Sequence, residues 1–390
     1  MTNIINKWGT RLCGLALVTI FVFGSAANVR AQVGGAAVVF LKIEPDSRAA
    51  GMGNAGVALA DNAAASFWNP AGLAFQKGTE LGLTHSNWLP EFNAGLFYEY
   101  FAAKHHVSGI GTFGAHLTYL FLGEHEGRDI QNNPTGTFKS FDLALGLSYG
   151  FKVTKHLALG TSARFIYSNL APGQVLSGSQ ETKAGVTGSF DLAALYRTSK
   201  FSLGAVQTTF AAGFNVANMG PTIRYSDNNQ ADPIPTNIRI GYAFTFEFDE
   251  FNKITLVNDF NKDLIRVRVD STGNHPDSWS KAIFSSWKPV SVCSTTVDEC
   301  AKDPTKLSTL SVFDQFTIGT GMEYWYNNLF AIRGGYFYEN PLNGNRKFMT
   351  LGAGIRYNII GVDFSYIYAL EENSPLANTM RFSLLLNLGK

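Results

Sequence analysis

From about residue 78 onward, apolar and polar side chains alternate along the chain with a period of two. In residues 141–153 every odd position is apolar, whereas the even positions carry Asp, Ala, Gly, Ser and Lys. Residues 238–248 and 380–388 repeat the pattern, with apolar side chains at the even positions. A β-strand places successive side chains on opposite faces, so this periodicity predicts strands with one apolar face.

The same reading of the remaining chain predicts about fourteen strands. They lie near residues 78–86, 92–103, 107–122, 137–153, 156–170, 184–198, 201–217, 235–249, 252–266, 312–326, 329–340, 346–358, 361–371 and 378–389. Short links alternate with long ones, and the long ones include 123–136, 171–183, 218–234 and an extracellular loop at about 267–311. Short periplasmic turns and long outer loops are typical of outer-membrane barrels. The predicted fold class is all-β: a transmembrane antiparallel β-barrel over residues 78–390.

The composition agrees with a barrel. Charged residues make up 16% of the chain, against about 25% in ordinary soluble proteins. The 39 Gly and 31 Phe suit a wall with lipid on one side and small side chains on the other. A formal net charge of +1 gives no basic surface, so we expect no nucleic-acid partner.

The predicted inner face combines small residues with acidic and basic side chains of nearly balanced number. These side chains are Glu99, Asp142, Asp191, Glu247, Asp259, Glu323 and Asp363, with Arg164, Arg197, Arg239, Arg333, Arg356 and Arg381. Buried charges persist when they are paired, so we expect Asp/Glu–Arg pairs across the lumen. The balance of signs argues against an ion-selective pore.

The N-terminus has the pattern of an export signal. Lys7 and Arg11 precede an apolar run over residues 12–24, and small residues follow up to Ala31. The run is shorter than the roughly 20 residues that a spanning helix needs. We therefore predict a signal peptide over residues 1–31, cleaved after Ala31, and delivery to the outer membrane.

Residues 32–77 differ from the barrel and are rich in Gly and Ala. Residues 36–43 read as a short extended run. Asp61 and Asn62 are placed to cap a short helix over residues 63–67. Asn69-Pro70 would end that helix, with the Asn69 side chain holding the turn. This region is predicted to be an N-terminal hatch, or plug, of the barrel.

Residues 61–74, DNAAASFWNPAGLA, resemble the N-terminal signature of the FadL family of fourteen-stranded outer-membrane proteins. The resemblance implies that the segment is a hatch that plugs the barrel from the periplasmic side. The predicted hatch motif consists of Asp61, Asn62, Asn69, Pro70 and Gly72. The longer stretches 41–74 and 84–102 are similar to the PorV branch of this family, which belongs to the type IX secretion system of Bacteroidota.

The resemblance to the PorV branch implies a protein shuttle without enzymatic activity or cofactor. Such a barrel receives the C-terminal domains of secreted cargo from a SprA-type translocon barrel and passes them to an attachment complex with a PorU-type sortase, in contact with outer-membrane lipid. The first alternative is a FadL-like channel for hydrophobic small molecules. The second is an enzyme acting on lipid A, for which His116 is the best candidate, although a lumen-facing, hydrogen-bonded His is the simpler interpretation.

The long loop at 267–311 carries the remaining candidate features. Cys293 and Cys300 lie seven residues apart, and an oxidising compartment favours a local disulfide between them. Trp279 and Trp287 in the same loop are candidates for partner contact, because interfaces are enriched in Trp. The alternative is a loop that folds over and closes its own barrel mouth.

Overall fold

Fourteen antiparallel strands close into a barrel in the computed structural model, which confirms the predicted fold class. The strands are β1 Thr79–Asn87, β2 Phe97–Val107, β3 Gly111–Arg128, β4 Pro134–Lys152, β5 Leu157–Asn169, β6 Gly185–Arg197, β7 Val206–Met219, β8 Asn237–Glu247, β9 Asn252–Asp263, β10 Phe316–Tyr326, β11 Phe330–Tyr338, β12 Lys347–Tyr357, β13 Ile360–Ala369 and β14 Met380–Asn387. The structure describes residues 30–31, 35–129, 131, 133–176, 180–226, 231–270, 273–293 and 307–389.

Each strand pairs with its two neighbours along the chain, and the last strand closes on the first. Leu384 of β14 is opposite Leu83 of β1, and the register continues along both strands. Closure gives every strand a partner on each side, which leaves no free sheet edge in the membrane.

The two faces of the wall differ as the alternation predicts. In β4, Leu145 and Leu147 are exposed on the outer face, whereas Ala144 and Ser148 are buried on the inner face. The outward side chains form the apolar band that a lipid bilayer requires. No helix in the described ranges is long and apolar enough to cross a membrane.

Most of the links between strands sort by length as predicted; the link over residues 198–205, at the end with tight turns, is longer than the predicted Ser199-Lys200. One end of the barrel carries tight turns, such as residues 108–110 and 358–359, which we call the short-turn end. The other end carries long links, such as 220–236 and 264–315, which we call the long-loop end. We call the opening at the long-loop end the mouth of the barrel.

The clearest departure from the predicted bounds is the hairpin of β3 and β4. The expected loop over residues 123–136 is mostly paired, since the ladder continues from Glu124↔Lys139 to Arg128↔Pro134. The neighbouring β2 begins at Phe97, opposite Phe121, so the end of the hairpin rises beyond the rim of the barrel.

The remaining elements are short and are not among the fourteen strands of the wall, although Phe201–Leu203 pairs with the start of β7. The helices are α1 Ser47–Ala50, α2 Ala65–Trp68 and α3 Trp279–Ser285, with 3₁₀ turns at Val39–Lys42, Pro70–Phe75, Pro90–Phe92 and Phe313–Gln315. The short strands are Arg30–Ala31, Val175–Leu176, Gln180–Glu181, Phe201–Leu203, Val267–Asp270, Gly273–Pro276, Val290–Cys293 and Leu307–Leu310. Arg30–Ala31 pairs with Val267–Asp270 at the mouth, and both of its residues precede the predicted cleavage point.

Candidate functional site: the barrel lumen and its mouth

Residues 35–76, which we call the lumenal segment, run through the barrel from the mouth to the short-turn end. At the mouth, the Ala37 amide donates to the Pro233 carbonyl over 2.9 Å, and the Lys42 ammonium lies 2.7 Å from the Asp263 carboxylate. At the other end, the 3₁₀ turn Pro70–Phe75 packs on β4, β5 and β6. The segment therefore fills the length of the lumen, beyond the periplasmic side at which the resemblance placed it.

Asn69 organises the turn at the base of the segment, as the sequence predicts. Its Oδ1 accepts from the Ala71 amide at 3.1 Å. Its Nδ2 also donates to the carbonyls of Val57 and Ala194, each at 3.0 Å, which ties the turn to the segment and to β6. One side chain thus fixes the local fold and its position against the wall.

Of two local expectations for the segment, one is wrong and the other is correct only in part. Residues 36–43 are not extended, since Val39–Lys42 forms a 3₁₀ turn that follows Val38 in a left-handed conformation. The helix that Asp61 and Asn62 were expected to cap over residues 63–67 is the single turn Ala65–Trp68, and Asn62 Oδ1 accepts from the Ala64 amide at 3.0 Å. Asp61 pairs instead with the guanidinium of Arg48, because packing in the lumen competes with local capping.

Glycines let the segment and the wall approach closely. A Cβ at Gly213 of β7 would lie under 3.0 Å from the Val57 backbone, and one at Gly335 of β11 would overlap the Gly53 backbone. Gly334, the preceding residue, faces outward, and a Cβ at Gly334 would have no atom within 4 Å. Inward glycines are therefore required by the backbone of the lumenal segment. At Gly72 of the predicted hatch motif, a Cβ would likewise lie under 3.0 Å from the Ala60 carbonyl oxygen.

Part of the predicted charge pairing across the lumen is correct. Arg164 Nη2 lies 2.9 Å from Asp191 Oδ2. Arg333 binds two carboxylates, through Nε to Glu323 at 2.7 Å and through Nη1 to Asp363 at 2.8 Å. All five side chains are nearly inaccessible to solvent, so these charges are stable only as pairs.

Charges of the wall also bind the lumenal segment. Arg48 of α1 donates to both oxygens of Glu323, at 2.7 and 2.8 Å. The carboxylate of Asp259 in β9 accepts from the amides of Gly56 and Val57, at 2.7 and 2.9 Å. Pairing within the wall was the wrong expectation for Asp259, since backbone amides of the segment provide its hydrogen bonds.

Arginines of the wall show the same preference for the segment. The Arg239 guanidinium lies 4.4 Å from the centroid of the Phe67 ring, a cation–π contact. Arg197 donates to the Leu59 carbonyl at 3.0 Å. These inner charges therefore hold the lumenal segment in place.

Glu99 does not face the lumen, contrary to the sequence prediction. Its neighbours Tyr98 and Tyr100 are buried inside the barrel, where the Tyr98 hydroxyl lies 3.4 Å from the Ile43 carbonyl. Glu99 therefore points outward, 2.7 Å from Nδ1 of His85. The two tyrosines occupy the inner positions because they pack against the lumenal segment.

A small cavity lies inside the barrel beside the lumenal segment. The cavity beside Asp46, Leu59 and Trp68 has a volume of about 10 Å³, room for a single water molecule. Asp46 also accepts from the Trp68 indole at 2.6 Å, which closes this part of the segment on itself. This cavity is far smaller than a typical small-molecule pocket.

His116 lies in the lumen and is hydrogen bonded, as the simpler interpretation predicts. It is 1% exposed, its ring stacks on Tyr100 at 5.8 Å, and its Nε2 accepts from Arg164 Nε at 3.2 Å. Among the described residues, no hydrogen bond links it to a serine. Nor does any cluster of three or more metal-ligating side chains occur in the described ranges.

Aromatic side chains are exposed at the mouth. Phe284 of α3 is 80% exposed, Phe313 is 87% exposed and Trp287 is 41% exposed. We call these three residues the mouth aromatic surface. Trp279, by contrast, packs edge-on against Phe190 of β6, with ring centroids 5.3 Å apart. Of the two predicted tryptophans, Trp279 therefore anchors the loop, whereas Trp287 is exposed.

Hydrogen bonds fix the loops that carry this surface. Gln315 Nε2 donates to the Lys288 carbonyl at 3.1 Å, joining the residues next to Trp287 and Phe313. Asp277 accepts from Ser285 Oγ at 2.7 Å and lies 2.9 Å from the Lys281 ammonium, which anchors α3. These contacts fix the backbone that carries the mouth aromatic surface.

Two further predictions reach parts of the chain that the structure does not describe. Cys293 is disulfide-bonded, but Cys300 lies outside the described residues, so their pairing stays a prediction. The signal peptide also lies outside them, apart from residues 30–31.

Comparisons with known proteins agree on family and fold. Residues 26–270, well over half of the chain, match the model of the family described as type IX secretion system protein PorV. Among solved structures, a TodX deltaS2S3 mutant monoaromatic hydrocarbon channel is 12% identical, with a TM-score of 0.50 and coverage of 89% of this chain and 100% of that one. The Pseudomonas putida toluene transporter TodX is also 12% identical, with a TM-score of 0.49 and the same coverage.

A third solved structure is more distant. A Pseudomonas aeruginosa FadL homologue is 11% identical, with a TM-score of 0.43 and coverage of 88% of this chain and 98% of that one. At such identities the similarity concerns the fold alone. No curated protein sequence matches the chain.

Proposed function

This chain belongs to the PorV family of type IX secretion system proteins, and we propose that it is a non-conducting outer-membrane barrel that binds secreted cargo at its mouth. In this proposal it receives the C-terminal domains of cargo from a SprA-type translocon barrel. It then passes them to the attachment complex that contains a PorU-type sortase. The protein itself catalyses no reaction.

The contrast between a filled lumen and an exposed mouth carries the proposal. Long loops of bacterial outer-membrane barrels face the cell exterior, so the mouth aromatic surface would meet proteins that have crossed the membrane. Exposed aromatic side chains on a fixed scaffold are typical binding hot spots. Phe284, Trp287 and Phe313 provide such a group on the longest described link.

The lumenal segment is proposed to be a hatch that seals the barrel permanently. Gly213 and Gly335 accept its backbone where any other side chain would collide. Glu323 and Asp259 bind it with hydrogen bonds that are buried within the barrel. Removing the hatch would leave Asp259 without the amides of Gly56 and Val57 and would leave Glu323 with Arg333 as its remaining partner, which opposes release of the hatch.

A FadL-like channel for hydrophobic molecules is less well supported. It would need an apolar pocket next to the hatch, and the cavity near Asp46 and Trp68, with room for one water, does not provide it. A lipid A enzyme is also disfavoured, because the His116 side chain is buried in the lumen away from the lipid face.

Binding of a purified cargo C-terminal domain to the barrel in lipid nanodiscs tests the proposal. The variant Phe284→Ser, Trp287→Ser, Phe313→Ser should bind at least about tenfold more weakly, since hot-spot aromatics carry most of the binding energy. Phe92→Ser is the matched control, because Phe92 is 60% exposed on a different link and should leave affinity unchanged. Wild-type affinity in the triple variant would refute the assignment of the mouth aromatic surface.

A further inference from the structure

A two-residue strand ahead of the lumenal segment covers the edge of a hairpin at the mouth. Arg30–Ala31 is antiparallel to Val267–Asp270, with Ala31 opposite Arg268. On its other side, Val267–Asp270 forms a hairpin with Gly273–Pro276. Without Arg30–Ala31, Val267–Asp270 would be the outer strand of this small sheet.

The same two residues lie beside a second small sheet. Arg30–Ala31 neighbours Val290–Cys293, which pairs with Leu307–Leu310. In the described part of the chain, this second sheet consists of those two strands. Arg30–Ala31 thus lies between two short sheets of the same long link, and we call its position the strand slot.

Processing during export would empty the strand slot. The predicted cleavage after Ala31 removes both residues that fill it. The backbone N–H and C=O groups of Val267–Asp270 that face the slot would then lose their partners. Free backbone groups at a sheet edge are a template for pairing with another chain.

Contacts at the start of the lumenal segment oppose refilling of the slot by the mature chain itself. Gly35 lies beside the strand, since a Cβ there would be 3.3 Å from Val267 Cγ2. The Ala37 amide donates to the Pro233 carbonyl over 2.9 Å. Residues 32–34 could move into the slot only by pulling Ala37 away from Pro233. The edge would therefore stay available after cleavage.

The strands that flank the slot determine the chemistry of a segment that fits it. Val267, Val290 and Val292 are buried, whereas Arg268 and Ser291, which lie next to them in the chain, are exposed. Successive side chains of a strand point to opposite faces, so both flanking strands have an apolar inner face and a polar outer face. A strand added between them needs the same alternation, which describes an amphipathic β-strand.

We propose that an amphipathic β-strand of a cargo C-terminal domain pairs with Val267–Asp270 in the strand slot once Arg30–Ala31 has been removed. In β-strand addition, backbone hydrogen bonds provide affinity and alternate side chains provide specificity. The slot and the mouth aromatic surface share one link, since Trp287 shortly precedes Val290–Cys293 and Phe313 shortly follows Leu307–Leu310. One domain can therefore contact both. The inference rests on the proposed function, which identifies the added strand as cargo.

A barrel that keeps its own slot strand tests the proposal. Fusion to a heterologous signal peptide that is cleaved before Asn28 leaves residues 28–31 on the mature chain. In lipid nanodiscs, this extended barrel should bind a purified cargo C-terminal domain at least about tenfold more weakly than the barrel that begins at Gln32, because its slot is filled. The matched control has the same extension with Arg30→Pro and Ala31→Pro. It should bind like the barrel that begins at Gln32, since proline lacks the N–H that a ladder needs.

Amide hydrogen exchange reports on the slot directly. In the barrel that begins at Gln32, the slot-facing amides of residues 267–270 should exchange at least about tenfold more slowly once the cargo domain is bound. In the extended barrel they should exchange slowly without cargo, whereas in the proline control they should exchange fast without it.

The outcomes separate the strand slot from the proposed function. Equal cargo affinity of the extended and unextended barrels, with exchange at 267–270 unchanged on binding, would overturn the slot and leave cargo binding at the mouth intact. Slow exchange in the unextended barrel alone would show that its own chain refills the slot, which also overturns the proposal. So would a native N-terminus that retains Arg30, found by mass spectrometry of the outer-membrane protein. Absence of cargo binding to the unextended barrel would contradict the proposed function and, with it, cargo as the occupant of the slot.

Discussion

The lumen and the mouth of this barrel use similar residue types in opposite ways. In the lumen, aromatic and charged side chains such as Trp68 and Glu323 are buried and hydrogen bonded to a defined partner. At the mouth, Phe284 and Phe313 are almost fully exposed. The comparison indicates that the interior contacts stabilise one arrangement of the lumenal segment, whereas the proposed function places recognition on the outer loops. Breaking each region should therefore have different consequences.

The largest expected effect on stability comes from a buried carboxylate. Glu323→Leu leaves Arg48 without its buried partner and should lower the free energy of unfolding by about 3–5 kcal/mol. Urea unfolding in lipid vesicles measures this change. Glu126→Leu, in the exposed Arg128 pair of the hairpin, should cost less than about 1 kcal/mol. Equal losses in the two variants would contradict the role assigned to the lumen.

Two adjacent glycines give the sharpest steric comparison. Gly335→Val places its side chain into the backbone of Gly53 and should lower the free energy of unfolding by about 1–3 kcal/mol, the usual range for overpacking. Gly334→Val points into open space on the outer face and should leave it unchanged. Urea unfolding of both variants in the same lipid checks the difference. An unchanged free energy of unfolding for Gly335→Val would show that the lumenal segment can shift to make room for the added side chain.

A single substitution at the mouth should separate binding from stability. Phe313→Ala removes a side chain that is 87% exposed, so the free energy of unfolding should change by less than about 0.5 kcal/mol. Its affinity for a cargo C-terminal domain should nevertheless fall by about 1.4 kcal/mol, or tenfold. Calorimetric titration measures the affinity. A stability loss that equals the binding loss would mean that Phe313 is structural.

The smallest expected effect is a pH dependence of the α3 anchor. Burial by itself raises the pKa of the Asp277 carboxyl, but hydrogen bonds from Lys281 and Ser285 bring it below its ordinary value of 3.8. Because the folded-state pKa is lowered, the ionised Asp277 carboxylate contributes its full stabilisation of α3 at pH values above 3.8. This contribution is lost as the pH falls through the lower, folded-state pKa. Trp279 fluorescence should thus stay constant at neutral pH and change only in strong acid.

Asp277→Asn provides the control for this titration. The variant lacks the carboxylate that Lys281 approaches, so its Trp279 signal should not respond to acid in the same range. A transition near neutral pH in the unmodified protein would contradict the anchor as described.

The sequence allowed the barrel to be predicted because its strands alternate clearly, as in β4. In β2 the alternation is weak, since Phe97, Tyr98, Tyr100 and Phe101 are aromatic on both faces. The inward or outward position of Glu99 therefore depended on packing against the lumenal segment, which local pattern does not encode. A slip of one residue reverses every side chain of a strand.

The candidate site was predictable only in part. The turn at Asn69 could be predicted because its signal, an Asn before a Pro, is local in the sequence, and the structure shows the expected hydrogen bond from the Ala71 amide to the Asn69 side chain. Asp259, by contrast, is bonded to backbone amides about 200 residues away, and backbone amides leave no signature in side-chain identity. Phe284 lies outside the predicted strands, and Phe313 was placed in the predicted strand 312–326 although it lies in the 3₁₀ turn Phe313–Gln315, so neither alternation nor composition identified them as exposed loop residues.

Locking the lumenal segment to the wall tests the central claim most directly. The hydroxyls of Ser47 and Ser383 lie 2.9 Å apart, so Ser47→Cys, Ser383→Cys should form a disulfide between the segment and β14. Cargo display at the cell surface is then measured with the disulfide oxidised and reduced, beside the unsubstituted protein. A static seal predicts equal display in both states. Loss of display on oxidation and recovery on reduction would show that the segment must move.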